Sequence, residues 1–254
     1  MDISQAVVIG AVEGFTEFLP ISSTGHMIVV SKFMNLPQDV ALKAYEVIIQ
    51  FAAILAVLIE YRSKITFKEI ELWKKVLVAF LPLLVVGYIF KDQIKALFDP
   101  TLVAMMFIVG GVAFLIIEYF YDESKVRVKE VEQMSYKDAF ITGLFQLLSL
   151  IPGTSRAGAT IAGDMLIGLS RKAAAEFSFL LAIPVMGAVS LYDLLKHYKD
   201  LMQGDLVAYG VGFVTAFVVA WITIKLFLAF ISRFSFVPFG IYRILFGAFL
   251  LYIF

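Results

Sequence analysis

The sequence predicts an all-α polytopic membrane protein with an inverted-topology repeat, made of six transmembrane helices and two re-entrant helix-loop-helix hairpins. Three observations predict it: the composition, several apolar segments of membrane-spanning length, and two broken apolar stretches that resemble each other. Of the 254 residues, 61% are hydrophobic and only 17% are charged. Soluble domains carry about 25% charged residues, and a soluble fold of this size could not bury so much apolar surface.

The charge and cysteine counts exclude several classes of function. Lys and Arg total 21 and Asp and Glu total 21, so the net charge is zero and no nucleic-acid partner is expected. The chain has no cysteine, which excludes disulfides, thiolate metal sites and a cysteine nucleophile. The first residues lack the basic region and small-residue cleavage site of a secretory signal, so we expect no cleaved leader.

The transmembrane helices are predicted where the sequence stays apolar for roughly 17–25 residues, the length that crosses a bilayer. The predicted spans are 42–61, 75–90, 101–121, 172–194, 207–231 and 238–254. Basic residues gather in the loops 62–75 and 122–138. These loops lie inside if the N-terminus is outside, and the predicted inside loops then hold more Lys and Arg than the outside ones. The positive-inside rule therefore predicts an N-terminus outside.

Two further apolar stretches, 5–34 and 138–168, are each interrupted by a polar turn. The first breaks at Pro20–Gly25 and the second at Pro152–Gly158. Each arm has about 14–16 residues, or about 21–24 Å at 1.5 Å per residue, which is shorter than the ~30 Å hydrocarbon core. Each stretch is therefore predicted to enter and leave on the same side of the membrane.

The two broken stretches also match each other in pattern. Glu13 falls opposite Gln146, and with one gap Pro20-Ile21-Ser22-Ser23 lies opposite Pro152-Gly153-Thr154-Ser155. Residues 1–254 are thus expected to form one membrane domain, with one repeat near 1–121, a second near 138–254 and a cytoplasmic linker near 122–137. Each repeat holds one hairpin and three spans, and this odd number inverts the second repeat. Paired broken helices point to a binding site at mid-membrane, although chance similarity between apolar segments is the alternative.

Glu13 and Glu17 lie four residues apart in the first hairpin, so they share one helix face about 6 Å apart. Two carboxylates in an apolar environment need compensation from a divalent cation, an arginine or a shared proton. The alternative, a solvated face of an interfacial helix, fits poorly with the Phe and Leu residues around them.

The first break reads Ser22-Ser23-Thr24-Gly25-His26. A hydroxyl before an apolar helix is ordinarily an N-cap, which explains one of these side chains. A histidine within reach of two carboxylates is placed for general acid–base chemistry, although a lone histidine on an apolar helix is more often structural.

The second break surrounds an arginine with small and hydroxyl residues at a helix start. Its members are Gly153, Thr154, Ser155, Arg156, Gly158 and Thr160. Backbone N–H groups and the helix dipole favour an anion there, and the guanidinium fork suits phosphate oxygens. The alternative is a capped turn whose arginine snorkels or pairs with an acid. If the two breaks meet, acids, a hydroxyl, an imidazole and an arginine form a constellation for phosphoryl transfer, and the apolar walls indicate a lipid phosphate.

The motifs EGFTEFLPISSTGH (13–26) and PGTSRAGAT (152–160) resemble the two signature stretches of the undecaprenyl-diphosphate phosphatase family, the bacitracin-resistance type. This resemblance implies hydrolysis of the C55 isoprenoid diphosphate to the monophosphate at the outer face of the bacterial cytoplasmic membrane. The reaction recycles the carrier lipid for peptidoglycan synthesis, and bacitracin would compete by binding the substrate. The family's second motif usually reads Ser-Arg-Ser-Gly, so Ala157 puts one hydroxyl contact in doubt.

The resemblance also implies roles for residues. The expected catalytic residues are Glu13, Glu17, Ser23, His26 and Arg156. The expected phosphate-binding residues are Ser22, Thr24, Gly153, Thr154, Ser155, Gly158 and Thr160. We expect Glu13 and Glu17 to hold a divalent cation, Mg²⁺ or Ca²⁺.

Several alternatives remain open at this stage. Ser23 is the candidate nucleophile, activated by His26, or else water attacks with Glu17 or His26 as the base. Arg243 is expected either to bind phosphate or to anchor the membrane edge. The main rival function is a transporter or flippase for a phosphorylated lipid that uses the same anion site; a purely structural scaffold leaves the intramembrane charges unexplained. A homodimer is also left open.

Overall fold

The computed structural model describes residues 1–37, 40–201 and 205–254, and every regular element in these ranges is a helix. A single isolated β-bridge joins Val128 to Leu169. The α-helices are α1 (Ile3–Thr16), α2 (Ser23–Phe33), α3 (Val40–Glu60), α4 (Ile70–Ile89), α5 (Lys91–Ala96), α6 (Pro100–Phe120), α7 (Tyr136–Gln146), α8 (Arg156–Leu166), α9 (Arg171–Leu201), α10 (Leu206–Ile231) and α11 (Val237–Ile253). The chain is an all-α, multi-pass membrane protein.

Five helices in the described ranges are long and apolar enough to cross a membrane, namely α3, α4, α6, α9 and α10. The sixth predicted span is the apolar helix α11, whose 17 residues leave it shorter than the other five. It packs lengthwise against α6. Glycines make this approach close, because a Cβ on Gly111 would lie 2.6 Å from the carbonyl oxygen of Gly240. The sixth segment is therefore a helix at the predicted position, with a length at the short end of the range that crosses a bilayer.

Both broken stretches form helix–break–helix hairpins. The break before α2 ends at Ser22 and the break before α8 ends at Ser155, and these two N-cap residues have matching left-handed backbones, with φ of 65° and 73°. Ser22 therefore corresponds to Ser155, and Ser23 to Arg156. The gapped match of Ser23 with Ser155 was wrong, because the first residue of each helix, not the proline, fixes the register of the break.

The two halves of the chain pack against each other in exchanged pairs. Helix α1 packs on α10 and α7 packs on α4, while α3 lies against α9 and α6 against α11. A Cβ on Gly10 would lie 2.5 Å from the carbonyl oxygen of Gly212, and one on Gly143 would lie 2.5 Å from that of Ala79. The contact of α1 with α10 is equivalent to that of α7 with α4, because α1 corresponds to α7 and α4 to α10. This equivalence supports the proposal of two repeats.

The loops predicted as cytoplasmic are joined by ion pairs. Lys64 lies 2.6 Å from carboxylate oxygens of both Glu132 and Glu176. Burial lowers the pKa of Lys64, but its bonds to the two carboxylates outweigh this and leave the pKa raised. Burial also raises the pKa of Glu132, but the hydrogen bond from Lys64 outweighs it and leaves that pKa lowered. The linker is thereby tied to the first residues of α9.

Candidate active site

The site forms where the two hairpin breaks meet, and Glu17 is the residue that joins them. Glu17 follows α1, and its Oε2 accepts a hydrogen bond of 2.7 Å from the hydroxyl of Ser23, the first residue of α2. Its other oxygen, Oε1, lies 3.3 Å from Nη2 of Arg156, the first residue of α8. A carboxylate from one hairpin thus contacts the guanidinium of the other.

The Arg156 side chain is buried and still has an unused donor. Nη1 donates to the carbonyl oxygen of Ser178 at 2.9 Å, which orients the guanidinium. Nε is buried and has no hydrogen-bond partner. Because a buried guanidinium donor without an acceptor is costly, this face of the arginine is suited to an anionic ligand.

Glu13 lies one helical turn before Glu17 and is almost completely buried. Its Oε1 has no hydrogen-bond partner. The carboxylates of Glu17 and of Glu46, on α3, are the charged groups nearest to it. Sequence reasoning did not place Glu46 in the site, because it lies in a separate predicted span.

His26 does not contact Ser23 through a hydrogen bond. Its Nδ1 lies 2.7 Å from the carbonyl oxygen of Ser22, and its Nε2 lies 2.6 Å from the hydroxyl of Tyr242 on α11. A carbonyl oxygen can only accept, so Nδ1 carries the proton and, in the neutral ring, Nε2 accepts from Tyr242. The expected pairing of His26 with Ser23 is therefore not the contact found here. The carboxylate of Glu17 takes its place.

Arg243, on α11, holds both breaks by their backbones. Its Nη1 donates to the carbonyl oxygen of Pro20 at 3.0 Å and its Nη2 to that of Gly153 at 3.1 Å. Further bonds reach the carbonyl oxygens of Met106 and Phe107 on α6. The side chain is fully buried, so it does not snorkel to the membrane edge, and three of its nitrogens donate to backbone carbonyl oxygens. The sequence offered no signal for this role beyond an arginine inside an apolar helix.

The predicted phosphate-binding residues of the second break differ in whether their hydroxyl group already has a hydrogen-bond partner. The hydroxyl of Thr154 is buried without a partner beside Gly153, whose φ is 91°. The hydroxyl of Ser155 instead caps α8 by accepting from the N–H of Gly158 at 3.0 Å. Thr160 lies one turn further along α8, and its hydroxyl contacts that of Ser178 at 2.7 Å. Thr160 is therefore engaged with α9.

In the first break, the predicted phosphate-binding residues Ser22 and Thr24 flank Ser23. Ser22 is buried and supplies its carbonyl oxygen to His26, and no side-chain capping bond from it closes the start of α2. Thr24 is partly buried in the first turn of α2. The N–H groups of this first turn are therefore not capped by the Ser22 side chain.

The donor set can hold a divalent cation together with a substrate. Among the described residues, no three His, Asp or Glu side chains gather as a ready-made metal site. Mg²⁺ is commonly held by one or two carboxylates plus substrate phosphate oxygens. The unpartnered oxygen of Glu13 and the carboxylate of Glu17 fit that pattern.

Comparisons with known proteins identify the family of this chain. The family model described as bacitracin resistance protein BacA matches residues 6–249. An undecaprenyl-diphosphatase from Sulfurovum sp. (strain NBC37-1) is 64% identical over 253 residues, which cover 100% of both chains. One from Sulfurimonas denitrificans is 60% identical and one from Methanococcus aeolicus is 51% identical, covering 100% of this chain and 100% and 99% of those proteins. Because the family model matches nearly the whole chain and these relatives align with it over its full length, the chain belongs to the BacA family.

Proposed function

We propose that this protein is a membrane lipid phosphatase that hydrolyses undecaprenyl diphosphate to undecaprenyl phosphate and phosphate. The observation that carries the proposal is the contact of Glu17 with both Ser23 and Arg156. It brings a hydroxyl, a carboxylate and a guanidinium to one point between two helix N-termini. The names of the full-length relatives support the same substrate.

The chemistry follows from these contacts. Arg156 and the N–H groups that begin α2 and α8 bind the terminal phosphate and stabilise its developing charge. The Ser23 oxygen attacks the terminal phosphorus as its proton passes to Glu17, and the bond from that phosphorus to the bridging oxygen breaks. Undecaprenyl phosphate leaves, and water then hydrolyses the phosphoserine to release phosphate and restore Ser23.

Two points of this scheme have alternatives: the group that acts as the base, and whether Ser23 or water is the nucleophile. The 2.7 Å bond from Ser23 to Glu17 favours Glu17 as the base over His26, whose two nitrogens are already used. In the second variant Glu17 activates water directly, and Ser23 is only a phosphate ligand. A divalent cation, Mg²⁺ or Ca²⁺, held by Glu13 and Glu17 would neutralise charge on the diphosphate oxygens.

Location and partners complete the proposal. We infer that the protein lies in the bacterial cytoplasmic membrane with its N-terminus outside, because the basic loops then face the cytoplasm. The site would open to the outer face, where the reaction returns carrier lipid to peptidoglycan synthesis. Bacitracin would inhibit it by binding the lipid diphosphate. A homodimer would be compatible with this scheme but is not needed for the site, whose residues all come from one chain.

The test is phosphate release from C55 diphosphate by purified protein in detergent, with Mg²⁺ or Ca²⁺ and with chelator. We expect release that the chelator abolishes and that Glu17→Ala and Arg156→Ala reduce by at least about 10²–10³-fold. Arg233→Gln, in an exposed loop after α10, is the matched control and should retain activity. Wild-type protein that binds the lipid diphosphate but releases no phosphate with any divalent cation would contradict the proposal and favour the flippase.

The nucleophile is tested separately by single-turnover hydrolysis of a diphosphate labelled with phosphorus-32 in its terminal phosphate. If Ser23 attacks, a phosphoserine accumulates in acid-quenched enzyme and is missing from Ser23→Ala. If no enzyme-bound phosphate forms and Ser23→Ala keeps appreciable activity, water is the nucleophile.

A further inference from the structure

The two hairpin breaks are capped in different ways, although their backbones match. Ser22 and Ser155 are the equivalent N-cap residues, and both have a positive φ, which is unfavourable for a serine. At the second break the hydroxyl of Ser155 caps α8 by accepting from the N–H of Gly158. At the first break the Ser22 side chain makes no capping bond. Another group must therefore stabilise the backbone that leads into Ser23.

The imidazole of His26 stabilises this backbone. His26 lies four residues after Ser22, and its Nδ1 donates to the carbonyl oxygen of Ser22 at 2.7 Å. The equivalent position in α8 is Ala159, whose side chain has no donor. Because a peptide group is planar and trans, its C=O and N–H point in opposite directions. The bond to His26 therefore directs the N–H of Ser23, the proposed nucleophile, away from the imidazole.

Tyr242, on α11, anchors the other edge of the imidazole. Its hydroxyl lies 2.6 Å from Nε2 of His26 and donates to that nitrogen in the neutral ring. Phe246 stacks against the ring, with centroids 4.4 Å apart and an interplanar angle of 11°. His26 is also buried. The ring therefore cannot turn without losing a bond at one of its two nitrogens.

The residue after Tyr242 contacts the same break. Arg243 donates from Nη1 to the carbonyl oxygen of Pro20 at 3.0 Å. Neighbouring residues of α11 thus reach two carbonyl oxygens of the break, that of Pro20 directly and that of Ser22 through His26. Helix α11 thereby fixes the segment before Ser23 at two points.

We propose that Tyr242 is a positioning residue for the reaction at Ser23. By donating to Nε2 of His26, it keeps the imidazole proton on Nδ1, where that proton bonds to the carbonyl oxygen of Ser22. The proposal rests on the proposed function, in which the N–H groups that begin α2 bind the terminal phosphate, and it adds the residue that orients one of them. His26 then acts on the backbone and takes no proton from Ser23.

Phosphate release by Tyr242→Phe tests this role, because the substitution removes only the hydroxyl. The kcat for C55 diphosphate should fall by about tenfold, the effect of one lost hydrogen bond on a rate constant. Tyr252→Phe is the matched control, because Tyr252 lies on the same helix and is 88% exposed, and it should keep the wild-type kcat. Equal kcat values for the two variants would contradict the proposal.

A double-mutant cycle tests whether Tyr242 acts through His26. His26→Asn keeps an N–H donor near the position of Nδ1, but its side chain is too short to reach Tyr242 and cannot act as a base. It should retain more activity than His26→Ala, and adding Tyr242→Phe to it should lower kcat no further. If His26→Asn is no more active than His26→Ala, or if Tyr242→Phe lowers kcat equally in both backgrounds, the proposal is wrong.

Nitrogen-15 NMR of the imidazole gives a readout that does not depend on catalysis. The chain has two histidines, so in His197→Gln protein labelled with nitrogen-15 histidine only His26 is observed. We expect a protonated Nδ1 and an unprotonated Nε2, whose resonance moves in Tyr242→Phe and stays in place in Tyr252→Phe. A protonated Nε2 in the neutral ring, or a resonance that Tyr242→Phe leaves unchanged, would overturn the proposal.

The NMR and kinetic results together separate this proposal from the proposed function. If wild type releases phosphate but the expected NMR signature is missing, only the role of Tyr242 is wrong. If wild type shows the signature but releases no phosphate with any divalent cation, the proposed function itself fails.

Discussion

Arg243→Lys is the substitution whose effect can be worked out most fully from the structure. Four backbone carbonyl oxygens, including those of Pro20 and Gly153, accept from three different nitrogens of the Arg243 guanidinium at 3.0–3.3 Å. A lysine has a single nitrogen and cannot contact both breaks from the positions that Nη1 and Nη2 occupy. At least two of the four bonds are therefore lost.

A hydrogen bond to a charged group contributes about 1.5–3 kcal/mol, so losing two costs about 3–6 kcal/mol of stability. For a chain of this size each kcal/mol lowers the melting temperature by about 2–4 °C, which predicts a fall of at least about 6 °C. Phosphate release should fall by about 10²-fold, because a displacement of about 1 Å between reacting groups has this effect.

The assay combines thermal unfolding in detergent with phosphate release, and Arg233→Lys serves as the control because Arg233 is exposed. If Arg243→Lys unfolds and turns over like Arg233→Lys, the idea that Arg243 holds the two breaks together is wrong. If it is less stable but fully active, Arg243 supports the fold without aligning the site.

Two further predictions concern packing and the cytoplasmic loops. Gly10→Ala should destabilise the protein by several kcal/mol, because the new Cβ would lie 2.5 Å from the carbonyl oxygen of Gly212; Gly210→Ala, with nothing within 4 Å of its Cβ, should not, and equal melting temperatures would contradict the packing described. Lys64→Ala should lower the melting temperature at pH 7. The lowered pKa of Glu132 means that its pairing with Lys64 stabilises the fold above the usual glutamate pKa and is lost as pH falls, so the difference from wild type should shrink near about pH 4. A difference that grows on acidification would refute the pairing.

The parts of the fold governed by local composition could be predicted from the sequence. Apolar runs gave the spans because their length is set by the bilayer, and proline and glycine marked both breaks. The register between the breaks was mistaken by one residue. The prediction aligned Pro20 with Pro152, whereas the left-handed N-caps show that Ser22 is the residue equivalent to Ser155. Backbone dihedral angles of this kind leave no clear signal at a serine.

The parts of the site that depend on distant contacts could not be predicted. Ser23 and His26 are three residues apart and were predicted to be partners, but α2 turns His26 towards the carbonyl oxygen of Ser22 and the hydroxyl of Tyr242. Tyr242 and Arg243 lie in the last apolar helix, and apolar periodicity does not indicate which distant loop such residues reach. By contrast, Glu17 and Arg156 were expected to meet because paired broken helices in an inverted repeat face each other, and the structure brings these two residues into contact.

A double-mutant cycle on phosphate release, with Glu17→Gln, Arg156→Gln and the double variant, tests most directly whether the two hairpins form one diphosphate site. Each single change should lower kcat/KM by at least about 10²-fold, and the double variant should be little worse than the weaker single variant, because both residues act on the same phosphate. Losses that multiply in the double variant, or a single variant that keeps wild-type activity, would show that Glu17 and Arg156 do not work as one site.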